Sequence, residues 1–191
     1  ELWLLGFAQL EDMRLSKVPR SDASVTSDQL LAMYAGKTGR YSVAWPLGIG
    51  ALLAGAPSVV IDTLTDIGTQ IGVLFQLRDD ELGLFGDPAE TGKSNEDDLR
   101  EGKKTLYWRH LIASLPQDDP RWHAFGNGQS TAQELDALRQ FIRESGGEKS
   151  VRESMLEQQR SLGQLVSASD FPNEVKALLH ELLVFVVERK K

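Results

Sequence analysis

The sequence predicts an all-α protein. Nearly every long segment places its apolar residues at helical spacing, and none shows the alternation of a strand ladder. Pro, Gly and capping residues punctuate the rest. Residues 1–16 read as a helix with Leu2, Leu5, Gln9, Asp12 and Met13 on one stripe. Pro19 to Thr26 is a polar break. Ser27 is the expected cap of a helix through Gly39, and Pro46 to Gly55 makes a short apolar helix. Pro57 or Ser58 opens a long helix to about Phe85. Gly86 to Gly102 reads as a loop, Lys103 to Leu115 as a helix, and Pro116, Pro120 and the Gly126-Asn127-Gly128 turn as a second loop. Thr131 caps a helix to about Glu144, and two amphipathic helices follow near 148–168 and 172–189. No internal repeat and no clear interdomain linker is visible.

A chain of 191 residues has room for one domain and a real core. The net charge of −7 argues against a general nucleic-acid or anionic-membrane binder, which would show a basic face. The absence of cysteine excludes a disulfide scaffold, thiolate zinc sites and a cysteine nucleophile. It fits a reducing compartment, and a cytoplasmic location is expected. No signal peptide is readable. The charge-free stretch from Tyr41 to Ile61 is long enough to span a bilayer. Pro46, Pro57 and three glycines argue instead for a buried core helix between Pro-marked ends.

The informative positions are those where an apolar stripe turns polar, because buried polar groups need a partner or a task. The stripe Leu30, Met33, Tyr34 continues through Lys37, Thr38 and Tyr41. Gly39 follows, where a helix can loosen and free a carbonyl. Taken alone, Lys37 is better explained as a lysine snorkelling at a helix end. In the long helix, Gln76, Asp79, Asp80 and Gly83 continue a stripe of Gly68 and Gly72, a face that something can approach closely. Adjacent aspartates near a helix C-terminus oppose the macrodipole and repel each other, so a cation is expected there. Oxygen donors without His or Cys point to Mg²⁺ bridging to phosphate, although for a bare Asp-Asp a solvated acidic turn paired with Arg78 or a distant Lys is the better account. The Thr91-Gly92-Lys93-Ser94 run lacks the upstream glycine spacing and strand of a P-loop. Beside Asp97-Asp98 and Glu101-Gly102-Lys103-Lys104 it suits either a diphosphate or an ordinary charged surface loop.

Together these residues resemble the all-trans isoprenyl (polyprenyl) diphosphate synthases. The run from Gly72 through Gln76, Asp79-Asp80 and Gly83 is similar to their second aspartate-rich motif. Phe85-Gly86-Asp87, Thr91-Gly92-Lys93, Asp98-Leu99 and Glu101-Gly102-Lys103-Lys104-Thr105 resemble the loop after it. Lys37-Thr38-Gly39 matches the Lys-Thr-Gly signature, and Gln9 with Asp12 the Gln-x-x-Asp element. The resemblance implies an isoprenoid synthase-type helical bundle around a central cavity, usually a homodimer. It implies condensation of an allylic diphosphate with isopentenyl diphosphate, using Mg²⁺, with Phe85-Gly86-Asp87 closer to geranylgeranyl-type enzymes. It also implies Asp79 as metal ligand with Asp80 in support, and Lys37, Lys93 and Lys103 as diphosphate-binding residues. Thr38, Gln76 and the Lys37 carbonyl would face the allylic cation, and Gln9 and Asp12 would line the cavity.

Gly83 departs from the fuller DDxxD pattern and removes one carboxylate. The family's first aspartate-rich motif does not precede Gln9, and Gln117-Asp118-Asp119-Pro120 does not replace it. His110, His123 and His180 are scattered and expected only in packing or at the surface. The start at Glu1, without Met or cap, adds to the expectation that residues 1–191 are the C-terminal portion of a synthase domain, inactive without its N-terminal part. A non-catalytic subunit or fragment pairing with a complete synthase, and a class I terpene cyclase, are the alternatives.

Overall fold

The computed structural model describes every residue except Glu1 and Lys93, with Leu2 described in its backbone alone. No strand occurs among the described residues. The helices are α1 (Leu2–Ser16), α2 (Ser27–Tyr34), α3 (Trp45–Leu53), α4 (Ser58–Phe85), α5 (Pro88–Thr91), α6 (Asp97–Glu101), α7 (Leu106–Ser114), α8 (Ala132–Glu144), α9 (Gly147–Ala168) and α10 (Asn173–Glu188). A π-helical segment, Ala35–Ala44, joins α2 to α3, and a 3₁₀ turn, Pro120–His123, precedes α8.

The chain divides into two compact units. The first comprises the residues up to Glu11 with Leu31–Arg78 and Ser154–Arg189. The second comprises Asp12–Leu30, Asp79–Glu153 and Lys190–Lys191.

In the first unit, α4 supplies the buried residues Leu64, Ile67, Ile71, Leu74 and Leu77. Met155, Leu162 and Val166 of α9 and Leu179, Leu183, Val186 and Val187 of α10 are buried in the same unit. By length and composition α4 could cross a membrane; five of its apolar residues are instead part of this core. Arg78 donates from Nε at 2.9 Å and from its terminal nitrogen at 2.8 Å to the carbonyl of Arg189. The Arg189 guanidinium lies 3.9 Å from the centroid of the Phe75 ring, so the end of α10 is tied to α4 by charge-assisted hydrogen bonds and a cation–π contact.

The small-residue stripe of α4 is approached closely, as its composition predicts. A Cβ on Gly72 would lie 2.3 Å from the Gly39 Cα, and one on Gly68 would lie 2.7 Å from the Ala44 Cα. The π-helical segment makes this approach. Two expectations are corrected in the same region. The helix from Ser27 does not end at Gly39: helical dihedrals continue through Tyr34 and Trp45 into α3. And α3 is not a buried core helix, since only Gly48 is buried while Leu52 and Leu53 are 63% and 82% exposed. It meets α4 through Gly48, where a Cβ would fall 2.7 Å from Thr65, and turns its bulkier residues outward.

Ser27 is not the cap of α2. Thr26 is: Gln29 N–H donates to Thr26 Oγ1 at 3.2 Å, and Thr26 N–H donates to Gln29 Oε1 at 2.9 Å. This reciprocal pair is a capping box. On α1 the buried residues are Ala8 and Leu15, with Asp12 half-buried, whereas Gln9 and Met13 of the expected stripe are exposed.

The second unit is centred on Trp108, Tyr107, Leu111, Leu135, Leu138 and Ile142, all at most 1% exposed. Trp108 Nε1 donates to the Arg20 carbonyl at 2.9 Å, and the Arg20 guanidinium donates to the Trp122 carbonyl. Thr105 caps α7, and Thr131 with Glu134 forms the capping box of α8. The expected loop from Gly86 to Gly102 contains the short helices α5 and α6.

Candidate functional site

The residues singled out from the sequence fall into a first-unit group and a second-unit group. In the first unit, Thr38 is buried and its Oγ1 donates to Gln76 Oε1 at 2.8 Å. The close approach of Gly39 to Gly72 brings the two helices near enough for this bond. The polar break in the α2 stripe and the polar break in the α4 stripe are therefore partners. Lys37 is half-buried in the π-helical segment, and Gln9 is exposed on α1. A π-helix hydrogen-bonds at i+5 and disturbs the regular α ladder, which is why such segments recur at functional sites.

In the second unit, Asp80 is 1% exposed and its Oδ1 accepts from Lys103 Nζ at 3.0 Å. Lys103 Nζ also reaches both carboxylate oxygens of Asp98 at 3.4 Å. The cation expected beside the aspartates is, in this protein, first of all a lysine. Burial opposes the Lys103 ammonium, but the Asp80 and Asp98 carboxylates outweigh it and hold its pKa above the ordinary lysine value. Burial raises Asp98, the charges of Asp80 and Asp79 add to that rise, and Lys103 opposes it. Asp79 is half-buried on the turn of α4 that follows Gln76, and Asp12 is half-buried on α1. Lys93 lies outside the described residues.

The loop geometry that aims Lys103 is built locally. Gly102 ends α6 at φ +69°, its N–H donating to the Leu99 carbonyl at 3.2 Å, and Lys103 N–H donates to the Asp98 carbonyl at 2.9 Å. Gly126 N–H donates to the Leu99 carbonyl at 2.9 Å, and a Cβ on Gly102 would lie 2.7 Å from the Gly126 Cα. Only glycine satisfies both the left-handed φ and that approach. Lys104 goes elsewhere. It is buried, donates to the Gly102 carbonyl at 2.9 Å, and lies 5.3 Å and 5.2 Å from the Trp108 and Phe125 ring centroids. Burial lowers its pKa. Adjacent lysines thus divide, one to the carboxylates and one to the aromatic core.

Sequence reading left two participants unassigned, Asp98 and Lys104. Asp98 stood in an acidic pair, but nothing in the pattern showed which of Asp97 and Asp98 would turn toward Lys103.

Among the described residues, no group of three or more His, Asp or Glu could hold a metal ion alone. Asp79 and Asp80 supply hard oxygen donors on one turn. Mg²⁺ is usually held through one or two carboxylates, with waters and phosphate oxygens completing its shell. The donor set fits Mg²⁺ bound together with a phosphate ligand and does not fit an all-protein cage.

Fold and residues define an all-α protein with an aspartate-bearing helix followed by a lysine-bearing loop. The polyprenyl synthetase family model matches residues 4–142, and the chain belongs to that family. It is 36% identical over 178 residues to the (2E,6E)-farnesyl diphosphate synthase of Mycobacterium tuberculosis, covering 89% of this chain and 48% of the relative. It is 33% identical over 152 residues to the geranylgeranyl diphosphate synthase of Sulfolobus acidocaldarius, covering 75% of this chain and 44% of the relative. A geranylgeranyl pyrophosphate synthase from Corynebacterium glutamicum, solved with isoprenyl diphosphate and magnesium, superposes with a TM-score of 0.83 at 34% identity. That superposition covers 97% of this chain and 52% of the other. The chain spans about half the length of the relatives it matches.

Proposed function

We propose that this chain carries the second aspartate-rich motif and the lysine loop of a trans-prenyltransferase. The reaction is the joining of an allylic diphosphate to isopentenyl diphosphate, giving a product of farnesyl or geranylgeranyl length. The names of the relatives support both lengths, and Phe85-Gly86-Asp87 favours geranylgeranyl. The observation that carries the reading is the Asp80–Lys103–Asp98 arrangement in a member of the polyprenyl synthetase family. The whole activity also needs the other half of the relatives' length, including a first aspartate-rich motif, and a second copy of the protein is part of the same reading. The exposed apolar face of α1 supports such a contact.

In the mechanism, ionisation of the allylic C–O bond separates a cation from a diphosphate. Mg²⁺, when bound, would supply Lewis-acid stabilisation of the leaving diphosphate. Asp79 would hold the ion, with Asp80 in support. Lys37, Lys93 and Lys103 hold diphosphate oxygens by charge-assisted hydrogen bonds. The Thr38 hydroxyl, the Gln76 amide oxygen and the Lys37 carbonyl present oxygen dipoles to the cation without the nucleophilicity of a carboxylate. Gln9 and Asp12 are further proposed substrate contacts.

The test is turnover of the complete protein with an allylic diphosphate, isopentenyl diphosphate and Mg²⁺. Asp79→Ala is expected to lower kcat/KM by at least about a hundredfold. Near-normal turnover in that variant overturns the assignment.

A further inference from the structure

Gly83 is a glycine inside α4 with no positive φ, so nothing in its backbone requires the residue. In that setting glycine is a poor choice, because it weakens a helix relative to alanine. What crowds a side chain is one neighbour. A Cβ on Gly83 would lie 2.8 Å from Asp98 Oδ2, 3.4 Å from Asp98 Cγ and 3.9 Å from Asp98 Oδ1, its three nearest atoms outside its own helix. The space over Gly83 is filled by a carboxylate that α6 brings in.

That carboxylate has a definite task. Lys103 Nζ stands 3.0 Å from Asp80 Oδ1 and 3.4 Å from each Asp98 oxygen. Asp98 holds the same residue a second time, its carbonyl accepting from the Lys103 N–H at 2.9 Å. With Asp80 alone, a lysine of four rotatable bonds would be held at one point. With Asp98 it is held at its backbone and from two sides of its ammonium.

We infer that Asp98 is a positioning residue for Lys103 and that Gly83 is present to admit its carboxylate. The cluster keeps an acidic group at the fifth position of the motif, supplied through space from α6 and not from α4. Its value to catalysis rests on the reading of Lys103 as a diphosphate ligand given above.

Gly83→Ala separates this role from a structural one. The atom it displaces is the free end of a flexible side chain, and alanine favours the helix, so the melting temperature stays equal or rises. A held ammonium exchanges its protons slowly and is visible in a proton–nitrogen correlation spectrum. The Lys103 signal, identified by its loss in Lys103→Met, is expected to vanish or broaden in both Gly83→Ala and Asp98→Asn. Calorimetry with inorganic pyrophosphate and Mg²⁺ gives the second readout. Each variant is expected to weaken affinity by about tenfold, and the double variant by no more than either alone, since both act through one carboxylate. An unchanged Lys103 signal in Gly83→Ala and Asp98→Asn overturns the positioning role. Undiminished pyrophosphate affinity in Lys103→Met overturns instead the diphosphate reading of Lys103.

Discussion

The bond from Thr38 Oγ1 to Gln76 Oε1 joins two residues that each interrupt an apolar stripe. Removing the hydroxyl while keeping the shape, as Thr38→Val does, deletes a buried hydrogen bond and leaves the amide oxygen less well satisfied. The expected cost is about 1 kcal/mol, measured by urea unfolding with an unchanged m-value. If Thr38 also faces the cation, kcat falls in the complete protein by more than that loss explains. These two residues were legible in the sequence because polar groups on a core-facing stripe demand an account. Asp80 and Lys103 were legible in part. Each was named, but their direct pairing depends on a left-handed glycine and on the approach of Gly102 to Gly126, which no periodicity records. Asp98 was the least legible, because its role follows from its carboxylate occupying the place of a side chain on Gly83.

At the scale of elements, the helix boundaries followed capping and breaker residues closely for α4 and from α8 onward, where Thr131 and Pro172 precede α8 and α10. They failed between Ser27 and Leu53. A π-helical segment keeps the apolar and small residues of an α-helix and differs only in its hydrogen-bond span, so Gly39 read as an end when it is a contact. That contact gives a sharp expectation. Gly72→Ala drives a Cβ to 2.3 Å from backbone that cannot rotate away, and should destabilise by about 1–3 kcal/mol. Gly50→Ala, with nothing within 4 Å of its Cβ, should be neutral or stabilising by up to about 1 kcal/mol. Comparable losses from both would deny the close packing.

The join between α7 and the start of α9 makes a pH prediction. Burial holds His110 below the ordinary histidine pKa; its Nε2 is 2.7 Å from Ser145 Oγ, and a Cβ on Gly147 would fall 2.6 Å from its ring. The folded protein therefore takes up this proton less readily than the unfolded chain. The stability it contributes is whole above about pH 6.5 and is lost as the pH falls through the depressed folded pKa. The melting temperature should drop between neutrality and mild acid more steeply in the native sequence than in His110→Gln. Parallel slopes would remove His110 from the account.

At the scale of the whole molecule, the charge of −7 and ordinary apolar content describe the composition well and the surface poorly. Trp3, Phe7 and Leu10 recur at i, i+4 and i+7 on α1 and are 83%, 66% and 60% exposed. In the same unit Leu52 and Leu53 end α3 outward, and Leu178 and Phe185 are exposed on α10. A helix with a continuous apolar face in water is costly at about 25 cal/mol per Å², and such faces mark contact surfaces. From the sequence alone the helix carrying Leu52 and Leu53 passed for core, since periodicity tells which residues share a face but not whether anything covers it. The α1 face should therefore drive self-association. Sedimentation should show a mass that rises with protein concentration. Phe7→Glu combined with Leu10→Arg should hold the protein monomeric with its helix content unchanged, because both positions are exposed and neither is part of the core. A monomer at every concentration in the native sequence would deny the contact, and association undiminished by the paired variant would move it to the Leu52–Leu53 end of α3.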